Sequence, residues 1–585
     1  MALSSICLRK KLILFICMGG LFTYSINVAK AQHKIEDKVF SGRLPAKKLI
    51  QLGWEQPSPQ ILKQNYKMME ATSPFDGITI GLRDTINGFV ISEETVFVAR
   101  EIKREWLQKS LADYKSCDFK KFKHNFLRIN TVPGSLKWND EKAWAVVTKN
   151  IGTMAWFAKT GGLEGICFDP ESYFEKQFSW SSKSGLTFFE AQSLARKRGQ
   201  QLVNAIGSEF PDITIWGLFM FSYGRQSLHS SDVHEALKVD QYALYPAFLN
   251  GILDGLPPNA KMVEGNEDAY YPKSDLHLFM LYNDARVKAQ ALIAVENRKK
   301  FKSQYSVGMG LYFDMYSNNY GTKYYLGPTI NRTRMERFRD RVTAALDISD
   351  EYVWIWNEEY KWWDIPYSEN RFNEYVKSNQ FKLCEQILPG ITKAFEYAKD
   401  TKAYAEKILR ASDNYINLAI NPGFEYEVAK AVELLDWQNK DCPSGYLLCK
   451  QKDSNVVFIS ESEANHSKTA VTKGNGWSIL IQTIAVVPGE TYVVSAEGKK
   501  TGGSMHLSIR WTDENNQLVD WYLSKNNVFA PVQDNTWSNA ATIITVPEGL
   551  NRMHVLLSAE PENAGEKFYF DNLKVVEVND LLRRN

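Results

Sequence analysis

The sequence predicts two folded parts, an α/β (TIM) barrel followed by an all-β jelly-roll sandwich. Between residues 45 and 365, short apolar runs alternate with longer amphipathic stretches, which is the pattern of a barrel of strands and helices. From residue 419, short alternating runs are separated by turn residues, which is typical of an antiparallel sandwich. A chain of 585 residues is also too long for one hydrophobic core. We therefore expect a barrel with closing helices over 32–418 and a sandwich over 419–580.

Eight apolar runs in the first part have the length and flanking residues of β-strands. They are 47–55, 77–82, 124–131, 165–171, 213–222, 261–267, 307–315 and 352–358. Helix-like stretches such as 187–210 and 275–301 lie between them, so the number of alternating units is that of a (β/α)8 barrel. An open doubly wound sheet is the alternative. That fold usually carries a glycine-rich phosphate loop after an early strand, and the sequence has none.

The amino-terminal segment has the pattern of a targeting signal. Three basic residues at 9–11 precede a short apolar run, and the small residues Ala29 and Ala31 occupy the positions of a cleavage site. This pattern predicts a secretory signal peptide over 1–31 and a secreted or periplasmic protein. The alternative interpretation is an uncleaved membrane anchor, but the apolar run is short for a bilayer span.

Charge and cysteine content exclude several classes of function. The formal net charge is +2 with 24% charged residues. Because the charge is nearly balanced, it gives no reason to expect a nucleic acid or an anionic membrane as partner. Five cysteines follow the predicted signal, without a CxxC pair, which predicts neither a disulfide framework nor structural zinc. Only Cys442 and Cys449 are near enough in sequence for a local disulfide, and Cys117, Cys167 and Cys384 are expected to be buried.

Acidic and aromatic residues cluster where the predicted barrel strands end. The reacting groups of such barrels come from the carboxyl ends of the strands, and paired carboxylates among aromatic rings are what glycoside hydrolysis requires. The candidate catalytic residues are Glu171, Asp169, Glu267 and Asp314. The candidate substrate-binding residues are Trp54, Glu55, Tyr223, Glu264, Tyr312, Trp356 and Glu358. No strand end carries a serine elbow or a Cys–His pair, so serine-triad chemistry is not expected.

Side-chain alternation predicts which of these residues face the barrel interior. In the fourth run, Asp169 and Glu171 share a face with the small residues Gly165 and Cys167, whereas Phe168 points the other way. The same alternation directs Gly310, Tyr312 and Asp314 inward in the seventh run. In the eighth run it favours an inward orientation for Trp354, Trp356 and Glu358.

The stretch GLEGICFDPE resembles the strand-four motif D-G-x-D-x-D-x-E of family-18 glycosidases and chitinase-like barrels. Gly165, Asp169 and Glu171 match the motif, and the resemblance implies that Glu171 is the acid and that Asp169 supports the acetamido group of the substrate. Cys167 stands where that family has an Asp, and strand six lacks the family's M-x-Y-D. A second interpretation uses Asp169 as nucleophile and takes the acid from strand six, either Glu264 or Glu267, as in some retaining α-glycosidase barrels.

The carboxyl-terminal part resembles the carbohydrate-binding modules of families 4, 9, 16 and 22. The matching segments are NPGFE at 421–425, QTIAVVPGETY at 482–492 and FDNL at 570–573. The resemblance implies carbohydrate binding, and it places Glu425 and Asp571 where such modules commonly hold a structural calcium. The alternative is that both are turn carboxylates. Trp511, Trp521 and Trp537 are candidates either for the sugar-binding surface or for the core.

These observations favour a secreted glycoside hydrolase that acts on a polysaccharide or oligosaccharide without a cofactor for catalysis. The carboxyl-terminal module would hold the enzyme on its polymer and raise the effective concentration. The competing hypothesis is a non-catalytic glycan-binding protein on a degenerate glycosidase barrel. Several acids at strand ends disfavour it, because a protein that only binds sugars has little need of buried acids that cost desolvation.

Overall fold

The computed structural model describes much of both predicted parts. The described residues are 47–272, 275–319, 322, 324–326, 333–366, 382–400, 415–420, 422–424, 447–450, 454–459, 469–474, 476–512, 527–528, 535–547 and 549–578. The predicted signal peptide lies outside them. The chain divides into two compact units between Phe395 and Glu396, and each unit is considered by itself below.

The first unit is built on a parallel sheet of nine strands. These strands are β1 (Lys48–Gly53), β2 (Gly77–Ile80), β5 (Phe126–Asn130), β6 (Gly165–Asp169), β7 (Thr214–Gly217), β8 (Lys261–Glu264), β9 (Tyr305–Val307), β10 (Met309–Tyr312) and β11 (Tyr352–Asn357). A separate hairpin joins β3 (Asp84–Ile86) to β4 (Phe89–Ile91), and β12 (Tyr360–Lys361) pairs with β13 (Lys382–Leu383). Each of the eight predicted runs contributes to this sheet.

The sheet forms a nearly closed, barrel-like ring. Its order is β10-β11-β1-β2-β5-β6-β7-β8-β9, so neighbouring strands follow chain order all the way round. Only Gly308 separates β9 from β10, and these two pieces pair with opposite neighbours, β8 and β11. The predicted parallel, barrel-like sheet with intervening helices is therefore confirmed.

Most of the helices connect strands of the ring, and the last two follow its final strand, β11. They are α1 (Pro59–Ala71), α2 (Gln108–Lys115), α3 (Glu141–Gly161), α4 (Phe188–Glu209), α5 (Arg225–Leu228), α6 (Val233–Lys238), α7 (Tyr245–Gly255), α8 (Asp275–Arg286), α9 (Arg298–Gln304), α10 (Asp314–Ser317), α11 (Arg334–Ile348), α12 (Cys384–Ile387) and α13 (Ile391–Lys399). The predicted helix over 187–210 closely matches α4, which begins with a capping box between Thr187 and Glu190.

The helix-like stretch 275–301 is divided, contrary to the sequence expectation. Between α8 and α9 the backbone of Ile293 is extended, and Ala294, with φ −55° and ψ 139°, is also non-helical. The Asn250 side chain of α7 accepts a hydrogen bond from Ala294 N at 2.8 Å, and Asn297 donates to the Asn250 carbonyl at 3.1 Å. Tertiary hydrogen bonds to α7 therefore override the local helical pattern.

Aromatic side chains fill the inside of the ring. Trp216 lies 5.7 Å from Trp354 and 5.3 Å from Phe126, measured between ring centroids. Gly310 has no room for a side chain, because a Cβ atom there would lie 2.4 Å from the Trp354 ring. On the other face of β6, Phe168 stacks on Phe248 of α7 at 6.1 Å. These contacts agree with the alternation expected for Phe168, Gly310 and Trp354. The alternation does not extend to Asp314, because β10 ends at Tyr312 and Asp314 begins α10.

Charged residues line the amino-terminal end of the ring. Glu164, just before β6, pairs with His124 at 3.0 Å and accepts a hydrogen bond from the Tyr352 hydroxyl at 2.9 Å. Burial alone would raise the pKa of Glu164, but the hydrogen bonds from His124 and Tyr352 lower it to about 2. Because this folded-state value lies below that of an unfolded glutamate, Glu164 stabilises the fold above about pH 4.5, and this contribution is lost as pH falls toward 2.

Replacing Glu164 with glutamine is expected to lower the free energy of unfolding at pH 7 by about 1–2 kcal/mol. The deficit should shrink between pH 4.5 and 2, where wild-type Glu164 also takes up its proton. Denaturant unfolding at several pH values measures it, with Glu175→Gln on an exposed loop as the control. A deficit that stays constant down to the lowest pH would contradict the assignment.

The second unit contains two five-stranded antiparallel sheets. One has the order β14-β17-β22-β19-β20, with bounds Leu447–Lys450, Ser478–Ala485, Arg552–Glu560, Ser504–Thr512 and Asn527–Val528. The other has the order β15-β16-β23-β18-β21, with bounds Ser454–Ile459, Thr469–Gly474, Lys567–Glu577, Thr491–Lys500 and Ser538–Thr545. Side chains of both sheets, such as Met553 and Phe568, share one core. This confirms the predicted carboxyl-terminal antiparallel β structure.

Three further expectations concern single residues or segments. Cys117, Cys167 and Cys384 are buried free thiols, as predicted, whereas Cys442 lies outside the described residues. Trp511 belongs to the core of the second unit, and Trp521 is also outside the described part. Within the described ranges, no helix has the length and apolar character needed to cross a bilayer.

Candidate active site

The carboxyl end of β6 presents Asp169 to the interior of the ring. Asp169 is fully buried, and its Oδ2 accepts a hydrogen bond from Arg128 Nη2 at 2.5 Å. Its Oδ1 accepts from the backbone N–H of Glu171 at 3.0 Å. Both carboxylate oxygens thus have protein donors, and the second of these bonds fixes the turn that carries Glu171.

Arg128 is a site residue that the sequence reasoning missed. It lies on β5 opposite Cys167 of β6, and its guanidinium lies 5.6 Å from the centroid of the Trp356 ring. Burial alone would lower the pKa of Arg128, but the charge of Asp169 raises it above its usual range. The sequence carries one indication of this role, because Arg128 is the only charged residue in the run FLRIN and strand alternation directs it inward. A charged side chain needs an oppositely charged partner when its parallel strand is covered on both faces.

Glu171 and Glu267 are two half-buried acids close enough to affect each other's protonation. Burial and, next, the charge of Asp169 raise the pKa of Glu171 to about 7. Burial, followed by the charges of Glu171 and Asp169, raises the pKa of Glu267 well above its ordinary value. Once one of the two ionises, its charge opposes ionisation of the other. We therefore expect the pair to hold one proton and one negative charge over a range of pH.

Hydrogen bonding distinguishes the two acids. The Tyr173 hydroxyl donates to Glu171 Oε2 at 2.7 Å, and such a bond stabilises a carboxylate. Among the described residues, none donates a hydrogen bond to the Glu267 carboxyl. Glu267 lies on the short 3-10 helix Glu267–Tyr270 that follows β8. The contacts therefore favour Glu171 as the ionised member and Glu267 as the protonated member.

Aromatic side chains surround the two acids. Five tyrosine hydroxyls lie near enough to Glu171 for its charge to raise their pKa values, in addition to the larger effect of burial: Tyr173, Tyr223, Tyr242, Tyr270 and Tyr271. Of these, the sequence analysis had named only Tyr223. Local sequence gave little reason to choose the others, because tyrosine is common in cores as well as in sites.

The end of the eighth predicted run extends the same acidic and aromatic region. Tyr312 donates from its hydroxyl to Glu358 Oε2 at 2.5 Å, and its ring centroid lies 5.2 Å from that of Tyr270. Trp356 is half-buried beside Arg128. Trp54 is also half-buried, at the end of β1. These predicted substrate-binding residues remain candidates.

The carboxyl groups of three other predicted acids already accept hydrogen bonds from the protein itself. Glu264 is fully buried and accepts hydrogen bonds from Ser222 N, Ser222 Oγ, Met220 N, Asn266 N and Tyr305 OH, at 2.7 to 3.0 Å. Its register partner on β7 is Gly217, next to the inward Trp216, so Glu264 faces the helices. We therefore leave it out of the proposed substrate contacts.

Glu55 and Asp314 accept hydrogen bonds that connect the ends of the first, seventh and eighth runs. Glu55 is fully buried, and the Trp362 N–H donates to it at 2.9 Å. Asp314 is likewise fully buried and accepts from Glu359 N at 2.8 Å. Burial raises the pKa of Glu55 to about 7 and that of Asp314 to about 8. Neither carboxyl is accessible to solvent, so we also leave both out of the proposed site.

The predicted calcium ligands cannot be placed together. Glu425 lies outside the described residues, and Asp571 is buried on β23, where its Oδ1 accepts from Asn572 N at 2.7 Å. In the described part of the chain, no group of three or more His, Cys, Asp or Glu side chains is arranged to hold a metal. The calcium site stays a prediction from the sequence resemblance.

Comparisons with known proteins leave the family unassigned. No protein-family model matches the chain, and no curated protein matches it. Among solved structures, the enzymatically active domain of bacteriophage CBA120 tailspike protein 4 is 17% identical, with a TM-score of 0.22, and the match covers 28% of this chain and 21% of that one.

Two further solved structures are sugar-binding proteins by their names. A family 16 carbohydrate binding module is 24% identical over 21% of this chain and 85% of that one, with a TM-score of 0.17. A putative sugar binding protein from Bacteroides thetaiotaomicron is 12% identical over 28% of this chain and 100% of that one, with a TM-score of 0.21. All three TM-scores are too low to establish a shared fold.

Proposed function

We propose that this protein is a secreted glycoside hydrolase whose active site lies at the carboxyl ends of the strands of a (β/α)8 barrel. The observation that carries the proposal is the pair of half-buried acids, Glu171 and Glu267, beside the Arg128–Asp169 ion pair. Such a pair supplies one proton donor and one carboxylate at the same pH, as glycoside hydrolysis requires. The surrounding tyrosine and tryptophan rings suit the apolar faces of sugars.

In this proposal each acid has its own role, which its hydrogen bonds support. Glu267 gives its proton to the glycosidic oxygen while the bond from that oxygen to the anomeric carbon breaks, with the electron pair staying on the oxygen. Glu171 either attacks the anomeric carbon or takes a proton from the water that does so. One water is consumed, and the two products carry its hydrogen and its hydroxyl. This proposal differs from both interpretations of the sequence. It takes the acid from strand six, as the second interpretation did, but gives Glu171 the part that the second interpretation gave to Asp169.

Asp169 acts through its neighbours in this proposal. Its carboxylate holds Arg128 and the backbone of Glu171, and its charge contributes to the raised pKa of Glu171. It is therefore a positioning residue, and neither the acetamido-supporting role implied by the family-18 resemblance nor a nucleophilic role is needed. For the carboxyl-terminal unit we retain the proposal of a carbohydrate-binding module with a structural calcium.

The function is tested by measuring reducing sugar released from a panel of polysaccharides and oligosaccharides. We expect wild-type protein to cleave one of them and Glu171→Gln and Glu267→Gln each to lose about 10²–10⁴-fold in rate. Glu175→Gln, an exposed acid on the same loop as Glu171, is the matched control and should retain the wild-type rate. Glycan binding without any cleavage would instead identify a non-catalytic glycan-binding protein, and full activity in both acid variants would place the site elsewhere.

A further inference from the structure

We propose that Tyr173 forms a sugar-binding subsite, in which its exposed ring stacks on a neutral sugar unit while its hydroxyl holds the Glu171 carboxylate in position. This inference rests on the proposed function for the role of Glu171, but it concerns a residue to which neither sequence motif assigned a role. Tyr173 is a positioning residue with respect to the reaction and a contact residue with respect to the substrate.

The two ends of the Tyr173 side chain have different environments. Its hydroxyl donates to Glu171 Oε2 at 2.7 Å, yet the residue as a whole is 60% exposed. The hydroxyl is therefore anchored at the acid while a large part of the aromatic ring stays open to solvent. A ring fixed in this way can receive a sugar without losing rotamer freedom, which lowers the entropic cost of binding.

The loop that carries Tyr173 is fastened to the loop after β5. Gln177 donates to the Leu136 carbonyl at 3.0 Å and accepts from the Leu136 N–H at 3.0 Å. The Thr131 hydroxyl donates to the Pro170 carbonyl at 2.8 Å, and Gly134, with φ +82°, leaves no space for a Cβ beside Glu175 O. These contacts fix the 170–177 segment, which carries the exposed Tyr173 ring, against the loop after β5.

The hydrogen bond also determines which oxygen of Glu171 can react. Oε2 is engaged by the phenol, and no described residue donates a hydrogen bond to Oε1. Oε1 is therefore the oxygen available to the anomeric carbon or to water. Because burial and then the charges of Asp169 and Glu171 raise the pKa of Tyr173 above its usual range, the phenol remains a donor throughout the working pH range.

The charges beside the ring define the chemical class of sugar. A unit stacked on Tyr173 lies next to Glu171, which repels an anionic substituent once it is ionised, whereas the charge of Asp169 is balanced by Arg128. An aromatic face also needs the C–H face of a pyranose free of charged groups. The subsite therefore fits a neutral hexose or pentose unit better than a uronic acid or a sulfated sugar.

Two substitutions separate the roles of the hydroxyl and the ring. Tyr173→Phe keeps the ring and removes the donor, so it should shift the acid limb of the kcat/KM profile by about half to one pH unit upward, with KM changed less than about twofold. Tyr173→Ala also removes the ring and should raise KM by about 5–10-fold. Phe174→Ala, a neighbouring exposed aromatic (77% exposed), is the control and should change neither quantity.

A labelling experiment tests the inference independently of turnover. A carbodiimide modifies protonated carboxyls, so peptide mass spectrometry of Glu171 labelling against pH should show labelling persisting to higher pH in Tyr173→Phe than in wild type. An unchanged labelling curve and an unchanged acid limb would overturn the positioning role. Unaltered KM and unaltered calorimetric oligosaccharide affinity in Tyr173→Ala would overturn the stacking role. If wild-type protein binds glycans without cleaving them, the proposed hydrolase fails while labelling and calorimetry still decide the part played by Tyr173.

Discussion

Replacing Arg128 with methionine is expected to destabilise the first unit by about 3–5 kcal/mol at pH 8, because it leaves the buried Asp169 carboxylate without its partner. Arg128 and Asp169 are joined at 2.5 Å with side chains that are 9% and 0% exposed. Few other single changes in the described residues remove so buried a charge partner. Denaturant unfolding followed by tryptophan fluorescence measures the loss.

A second substitution identifies the cause of this loss. Arg128→Met combined with Asp169→Asn should recover part of the stability at pH 8, since no charge is left buried. The control is Arg196→Met, which breaks partly exposed ion pairs to Asp254 and Glu296 and should cost about 1 kcal/mol or less for each pair. A loss at Arg128 no larger than this control would contradict the argument.

The rate of glycoside cleavage is expected to fall about tenfold for each pH unit below an acid limb near pH 7. The reason is that Glu171 must be ionised to act as base or nucleophile, and burial and the charge of Asp169 raise its pKa to about 7. An alkaline limb should lie higher, where Glu267 loses its proton. Measuring kcat/KM against pH gives both limbs, which belong to the coupled pair.

Asp169→Asn checks the origin of the acid limb. Removing this negative charge should move the limb to lower pH, and the Arg128 cation left beside Glu171 should add to the shift. Glu175→Gln should leave both limbs in place, because it lies on the exposed side of the loop. An acid limb near pH 4 in wild type, or a limb that does not move in Asp169→Asn, would contradict the assigned electrostatics.

Local pattern was enough to predict the strands of the ring but not every helix. Each apolar run contains a parallel strand because β-strand periodicity and burial are properties of adjacent residues. The break between α8 and α9 depends on Asn250, which lies far away in sequence. The inward orientation of Asp169 could also be predicted, because side-chain alternation depends only on the spacing of residues along one strand.

The sequence predicted only some residues of the candidate site, and two of the acids show the physical reason. Glu171 and Glu264 both follow apolar strands, and nothing in their local sequence distinguishes them. In the structure, Glu264 accepts five hydrogen bonds from protein donors, whereas Glu171 keeps one oxygen available. That difference arises from residues on other strands and loops, which only folding brings together.

The sequence by itself determined the order of strands, the change to β structure after the ring, and the face on which Asp169 lies, because these follow from short-range periodicity. The tertiary structure alone decided that Arg128 pairs with Asp169 and that Glu267 lies near enough to Glu171 for their charges to interact. Protonation and reactivity depend on burial and on charges a few ångströms away. Those distances join segments separated by about forty to a hundred residues, so they exist only once the ring of strands has formed.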